Sequence, residues 1–207
     1  MDEISLANRK GKLRAQLKSA RETFYVNAST EDLQALAEGF CNQLVRYCEG
    51  RKIGTVAAYL PYGTEPELRP FLEKLTGASI SVLLPVAKPD RELHWVSWDG
   101  VSTSIGIHGF AEPVGPVAEL SEADLIILPA SAVDLNGNRL GKGLGYYDRA
   151  LASLKEQKRT AGSTMPLTVA VVYDPEVLTE IPAESHDRKV TAAITATKTI
   201  KFDEGLN

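Results

Sequence analysis

The sequence is poor in the residues that build metal centres and disulfide frameworks. It has two cysteines, three histidines and no apolar run near the ~20 residues that cross a bilayer. The N-terminus, MDEISLANRKGKLR, opens on acids and lacks an apolar stretch, so it does not read as a secretory signal. The expected compartment is the cytoplasm, with no membrane partner. Cys41 and Cys48 lie seven apart on a helical pattern beside apolar neighbours, which suits small buried side chains better than a disulfide or a metal site. His94, His108 and His186 show neither metal-ligand nor triad spacing, so no catalytic role is expected of them. Positive charge is also short. With 23 basic and 27 acidic residues the net charge is −4 at pH 7. Nucleic acid is therefore not an expected partner, although a local basic pocket for a small anion is compatible with this balance.

What is present is an ordinary globular composition, 43% hydrophobic and 24% charged over 207 residues. That excludes collagen-like, disordered and coiled-coil classes. It predicts one domain over residues 1–207, a monomer, with N-terminal helices over residues 1–50 packed on a core. A helix is expected over residues 5–22 and a second after Ser29 or Thr30, with Asp32 three residues past Ser29 in a capping pattern. Leu33, Leu36, Phe40, Leu44 and Tyr47 keep a helical period in the second. Residues 53–60 (IGTVAAYL), 80–84, 125–128 (LIIL), 167–173 (LTVAVVY) and 190–196 are short apolar runs, read as buried strands. Residues 93–98 alternate like a strand with one exposed face. A helix is expected from Pro66 to Gly77 and another over residues 146–154. Residues 99–123 read as a surface connection and 155–166 as a polar mobile segment. Strands alternating with helices predict an α/β layered fold with a mainly parallel or mixed central sheet. Ligands of such sheets bind beyond the carboxyl ends of the strands.

The chemistry concentrates after LIIL, in Arg139-Leu140-Gly141-Lys142-Gly143-Leu144-Gly145-Tyr146-Tyr147-Asp148. Glycines at every second position let backbone N–H groups approach an anion. The helix that follows adds free N–H groups and a positive dipole end, and Arg139 and Lys142 add full charges. The spacing is neither a Walker A loop nor a dinucleotide fingerprint. A bare glycine triplet would equally suit a flexible turn with solvated charges; Tyr-Tyr-Asp at the helix start favours a phosphate cradle. Asp148 beside such a cradle is placed to hold Mg²⁺. Lys10, Arg14 and Lys18 share one helix face, and their spacing alone favours a solvated face. In Tyr59-Leu-Pro-Tyr62-Gly-Thr-Glu65-Pro-Glu67, a strand-end loop offers carboxylates to an amino-pyrimidine ring, while Glu67 equally reads as a first-turn helix acid. Asp187, in a mixed-charge run, reads as a polar loop acid unless the fold brings it to Asp148.

Together these segments resemble the 5-formyltetrahydrofolate cyclo-ligase family. The signature is Arg139 to Asp148 with Pro129 and Asp134 before it, flanked by Lys10-x-x-x-Arg14, YLPYGTEPE and Asp187-Arg-Lys-Val, in the family's order and over most of the chain. Pro85 and Glu112-Pro113 are further landmarks. The resemblance implies a fold related to the NagB/RpiA/CoA-transferase-like group. It also implies ATP- and Mg²⁺-dependent conversion of 5-formyltetrahydrofolate to 5,10-methenyltetrahydrofolate, with ADP and phosphate released. It implies that Lys10 and Arg14 contact ATP phosphates and that Arg139 to Tyr147 form the nucleotide loop, with Arg139 and Lys142 catalytic. Lys142, Gly143, Gly145 and Tyr146 would also line the folate, Glu67 would bind the pterin with Tyr62 beside it, and Asp148 and Asp187 would hold the metal. Leu68 and Leu144 depart from the family pattern, which has Thr at the first position and Gly or Lys at the second. Two other readings stay open: another ATP-dependent ligase or kinase of a pterin-like molecule, and a non-catalytic folate- or nucleotide-binding module.

Overall fold

The structure is a computed structural model and describes residues 5–184 and 188–202. Its elements are, in order, α1 (Leu6–Asn27), α2 (Thr30–Cys48), β1 (Thr55–Ala57), α3 (Arg69–Gly77), β2 (Ser81–Ala87), β3 (Leu93–Ser97), β4 (Thr103–Ile105), β5 (Ala111–Pro113), β6 (Val117–Ala118), β7 (Leu125–Pro129), β8 (Ala132–Asp134), β9 (Arg139–Leu140), α4 (Tyr146–Thr160), β10 (Leu167–Val171), β11 (Val177–Leu178), β12 (Ala192–Ile194) and β13 (Thr199–Lys201). The main sheet runs β13-β12-β10-β7-β1-β2-β3-β6. The β12-β10-β7-β1-β2 block is parallel, and β13, β3 and β6 are added antiparallel. The expected mixed, mainly parallel sheet is present.

The apolar runs form strands because the sheet is covered on both faces. In β7 all five residues are buried, and alternate ones serve opposite faces. Leu125 and Ile127 join a core with Phe40 and Leu44 of α2 and Phe71 and Leu72 of α3. Ile126 and Leu128 join a second core with Leu151 and Leu154 of α4. The Ser29–Asp32 capping box closes the start of α2, with Ser29 Oγ accepting from Asp32 N and Asp32 accepting from Ser29 N. Cys41 is buried and Cys48 half-buried, both as free thiols. No helix among the described residues is long and apolar enough to cross a membrane.

Helix α1 ends at Asn27, five residues past its expected end, and three readings nearer the site also differ. The helix expected from Pro66 begins at Arg69, with Pro70 in its first turn, so Glu65 and Glu67 stay in the loop. Helix α4 continues to Thr160, so half of the segment expected to be mobile is helical. Its polar second half lies exposed, with Arg159 paired to Glu156 one turn back. Residues 99–123, read as a connection, contain β4, β5 and β6, and the β4–β5 hairpin folds back over the site.

Candidate active site

The chain from β1 leads to β2 on one side, and the chain from β7 leads to β10 on the other. The switch therefore falls between the neighbouring strands β1 and β7. A crevice opens there beyond the strand ends. It holds a cavity of about 350 Å³, within the range of small-molecule sites. Tyr59, Leu60 and Tyr62 after β1, Pro85 and Ala87 of β2, and Pro129 of β7 form one part of its wall. The glycine loop and the start of α4, Gly141 to Asp148, form another.

The loop is carried by the β8–β9 hairpin. Buried Asp134 shapes that hairpin by accepting from Asn136 N, Asn138 N, Asn138 Nδ2 and Ile181 N at 2.8–3.2 Å. Arg139 follows, with a side chain only 4% exposed. Its Nη1 donates to Pro129 O at 3.1 Å and its Nη2 to Asp148 Oδ1 at 2.5 Å. Its Nε is buried and has no partner, and Arg139 is one of the residues of the cavity wall. Gly145 takes a left-handed φ of 72° and caps α4 without a side-chain bond, so the helix N–H groups are left open at the cavity.

Helix α1 closes the loop from outside. It has no buried residue of its own, and Leu13 and Leu17 are partly buried against Ala132, Leu140 and Ile181. Arg14 Nε donates to Gly141 O at 2.7 Å. Lys10 Nζ lies 3.0 Å from Glu184, and Lys18 pairs with Glu22 in solvent. The expected solvated face is thus real for Lys18 and not for Lys10 and Arg14. Lower on α1, Arg21 forms a buried ion pair with Glu176 and also donates to Ala130 O at 2.8 Å. The pair holds Arg21 more firmly charged, whereas on Glu176 burial outweighs the pairing and lifts the carboxyl above its ordinary range.

The two carboxylates of the strand-end loop part company. Glu67 lies on the outside, with Oε2 2.6 Å from Arg69 Nη1 and Oε1 accepting from Arg69 N. It is not among the residues of the cavity wall. Glu65 is, and it is buried. Its Oε1 is 2.7 Å from Lys142 Nζ and its Oε2 accepts from Tyr62 N at 3.1 Å. Tyr25 Oη donates to Glu65 O and contacts Tyr173 Oη at 2.8 Å, which ties this loop to α1. Lys142 Nζ also lies 3.8 Å over the Tyr62 ring. Leu68 is fully buried under α3 and Leu144 is exposed at the cavity mouth, so neither departure disturbs the wall.

The β4–β5 hairpin supplies residues to which the sequence reading gave no role in the site. Phe110 stacks on Tyr62 with ring centres 3.9 Å apart. His108 Nε2 lies 3.0 Å from Tyr146 Oη. Glu112 accepts from Ala87 N and anchors the hairpin to β2. A Gly-rich, unpatterned stretch holding one His and one Phe gave little local sign of this role. Tyr147 packs edge-on against Trp95, and burial raises its phenol pKa far above the ordinary value.

Asp148 offers a carboxylate beside the loop; Asp187 and His186 lie outside the described residues. Among the described residues no group of three or more His, Cys, Asp or Glu side chains could hold a metal ion. A Mg²⁺ bound mainly through nucleotide phosphates and water needs only one or two carboxylates, so Asp148 fits that mode of binding and not an all-protein cage.

The profile of the 5-formyltetrahydrofolate cyclo-ligase family matches residues 6–196. The 5-formyltetrahydrofolate cyclo-ligase of Mycolicibacterium smegmatis is 38% identical over 172 residues, 78% of this chain and 84% of that protein. The enzyme of the same name from Escherichia coli is 29% identical over 174 residues, 81% of this chain and 92% of that one. The solved structure of 5,10-methenyltetrahydrofolate synthetase from Aquifex aeolicus matches with a TM-score of 0.76 at 28% identity, over 96% of this chain and 95% of that one. With its glycine loop, its crevice and these relatives, the chain belongs to the 5-formyltetrahydrofolate cyclo-ligase family and is a ligase.

Proposed function

We propose that the protein converts 5-formyltetrahydrofolate to 5,10-methenyltetrahydrofolate, consuming ATP and releasing ADP and phosphate. The observation that carries this reading is one crevice holding two kinds of recognition. One is a glycine loop with an unpartnered, buried Arg139 Nε and open helix N–H groups. Joined to that loop through Lys142 is a buried carboxylate, Glu65, in the same wall as the Tyr62–Phe110 stack.

The formyl oxygen is a weak nucleophile and a poor leaving group. Transfer of the γ-phosphoryl group to it makes an imidate-like phosphate at the formyl carbon. N10 then attacks that carbon and loses its proton, the C–O bond breaks, and phosphate leaves with the formyl oxygen. No protein nucleophile is needed. Phosphoryl transfer asks mainly for positioning and charge neutralisation. Arg139, Lys142, Lys10, Arg14 and the first N–H groups of α4 serve the phosphates in this reading. Glu65 accepts the N–H groups of the pterin's amino-pyrimidine edge. As the pterin takes Glu65, Lys142 is released from its 2.7 Å pair and turns to phosphate. Mg²⁺, held by Asp148 and the nucleotide, with Asp187 as a second candidate ligand, would offset phosphate charge.

The test is the absorbance of the methenyl product. Protein, 5-formyltetrahydrofolate, ATP and Mg²⁺ together should form that chromophore, and omission of any one should abolish it. Tight binding of both ligands without the chromophore would make the protein a binding module instead.

A further inference from the structure

Two buried side-chain polar atoms among the described residues lack a partner, Arg139 Nε and Tyr59 Oη, and both residues line the cavity. The phosphate reading uses Arg139 and leaves Tyr59 unexplained. Tyr59 lies two residues past the end of β1 and is 4% exposed. A buried hydroxyl left unpaired is costly, and natural folds rarely keep one. On a cavity wall the cost is recovered when a ligand atom completes the bond.

The surroundings of Tyr59 say which atom. Glu65 follows six residues later in the same strand-end loop, is buried like Tyr59 and lines the same cavity, and its charge acts on the hydroxyl. Burial and that carboxylate both raise the phenol pKa well above its ordinary value, so Tyr59 is an O–H donor at any working pH. On the reading proposed above, Glu65 accepts from the 2-amino group and N3–H of the pterin. The next atom along that edge is O4, an acceptor. A carboxylate flanked by a hydroxyl donor therefore matches the donor–donor–acceptor order of a 2-amino-4-oxo-pyrimidine.

We infer that Tyr59 Oη donates a hydrogen bond to O4 of the bound pterin and selects 4-oxo over 4-amino folates. This rests on the assignment of Glu65 to the pterin. A 4-amino group would bring a second donor to the hydroxyl and force its hydrogen away from the ligand.

The test is Tyr59→Phe, titrated calorimetrically with 5-formyltetrahydrofolate and with its 4-amino-4-deoxy counterpart. The variant should bind the 4-oxo ligand about three- to tenfold more weakly, the range of one neutral hydrogen bond. It should bind the 4-amino ligand as the unaltered protein does, so the preference collapses, and its KM for ATP should not move. The Tm of the unliganded variant should be equal or higher, because the unpaired hydroxyl is gone. Equal weakening for both ligands, no weakening for either, or a lower unliganded Tm would overturn the inference, the last by making the hydroxyl a structural group. An unaltered protein that binds 5-formyltetrahydrofolate and turns it over while Tyr59→Phe is indistinguishable defeats only this inference. An unaltered protein that binds no folate defeats the functional reading and this inference with it.

Discussion

Replacing Glu65 by Gln keeps the side chain's shape and removes its charge. The Glu65 side chain is 6% exposed, 2.7 Å from Lys142 Nζ, and accepts from Tyr62 N. The amide oxygen can still accept from Tyr62 N, so the loop should hold its course. Lys142 is 35% exposed, which screens the lost pair. The stability cost should be about 1 kcal/mol or less. Ligand binding is another matter. Where the carboxylate offers two acceptors to the amino-pyrimidine edge, the amide offers one acceptor and one misplaced donor. A bond to a charged group contributes about 1.5–3 kcal/mol, so 5-formyltetrahydrofolate should bind roughly tenfold to 150-fold more weakly. ATP affinity should change far less. Glu67→Gln is the matched control. Its pair with Arg69 is half-exposed and outside the cavity wall, so its effect on folate should be about twofold or less. Titration of both variants with each ligand decides. If Glu67→Gln weakens folate more than Glu65→Gln, the pterin lies on the outer carboxylate and the cavity assignment is wrong.

Asp148→Asn removes the carboxylate that fits Mg²⁺ and also the partner of Arg139 Nη2, so the Mg²⁺ concentration for half-maximal rate should rise severalfold; an unchanged Mg²⁺ dependence would remove Asp148 from the metal. Arg21→Met leaves Glu176 buried without its counter-charge and should cost about 3–5 kcal/mol near neutral pH by denaturant unfolding. Glu176 already has a raised folded-state pKa, and the variant raises it further. Its folded state then binds more protons than its unfolded state, so the destabilisation should shrink as pH falls through that raised value towards the ordinary carboxylate range, and a pH-independent loss of Tm would count against this.

The parallel strands were legible because both of their faces are buried. Runs such as LIIL have no competing period, and they became strands where expected. The capping box of α2 was legible because Ser29 and Asp32 satisfy each other locally. The hairpin over the site was not legible, because its local hold is backbone pairing with no apolar pattern to mark it. Ile105, Ile107 and Phe110 are exposed, and the contacts that fix it join residues far apart, Phe110 to Tyr62, His108 to Tyr146 and Glu112 to Ala87. The choice between Glu65 and Glu67 turned on a helix start. With Pro66 opening the helix, Glu67 would sit in its first turn. With Pro70 in the first turn, Glu67 is free to meet Arg69 and Glu65 turns inward. Lys10 and Arg14 share a helix face with Lys18, so spacing could not separate them; contact with the glycine loop could.

The glycine triplet reads differently once side chains are in place. Each of its glycines lies under an arginine: a Cβ at Gly141 would meet Arg139 Nη1 at 3.0 Å, one at Gly143 would meet Arg14 Cζ at 3.3 Å, and one at Gly145 would meet Arg149 Nη1 at 2.9 Å. The missing Cβ atoms thus let arginine side chains close on the loop, as well as letting an anion approach it. Gly143 carries both demands most clearly, because its φ is also 98°, where an L side chain is strained. Gly143→Ala should strain the loop by roughly 1–2 kcal/mol and push Arg14 off Gly141 O. Arg14 belongs to α1, whose hold on the core is otherwise its buried Arg21 pair, Leu13, Leu17 and Tyr25, so the fold should survive. The expected signature is a KM for ATP raised about tenfold, folate affinity nearly unchanged, and a Tm lowered by a few degrees. Arg14→Ala in the same background should add little, since the two changes break one contact. Full additivity of the two on the KM for ATP would show that Gly143 serves the nucleotide directly, and that the arginine over it is incidental.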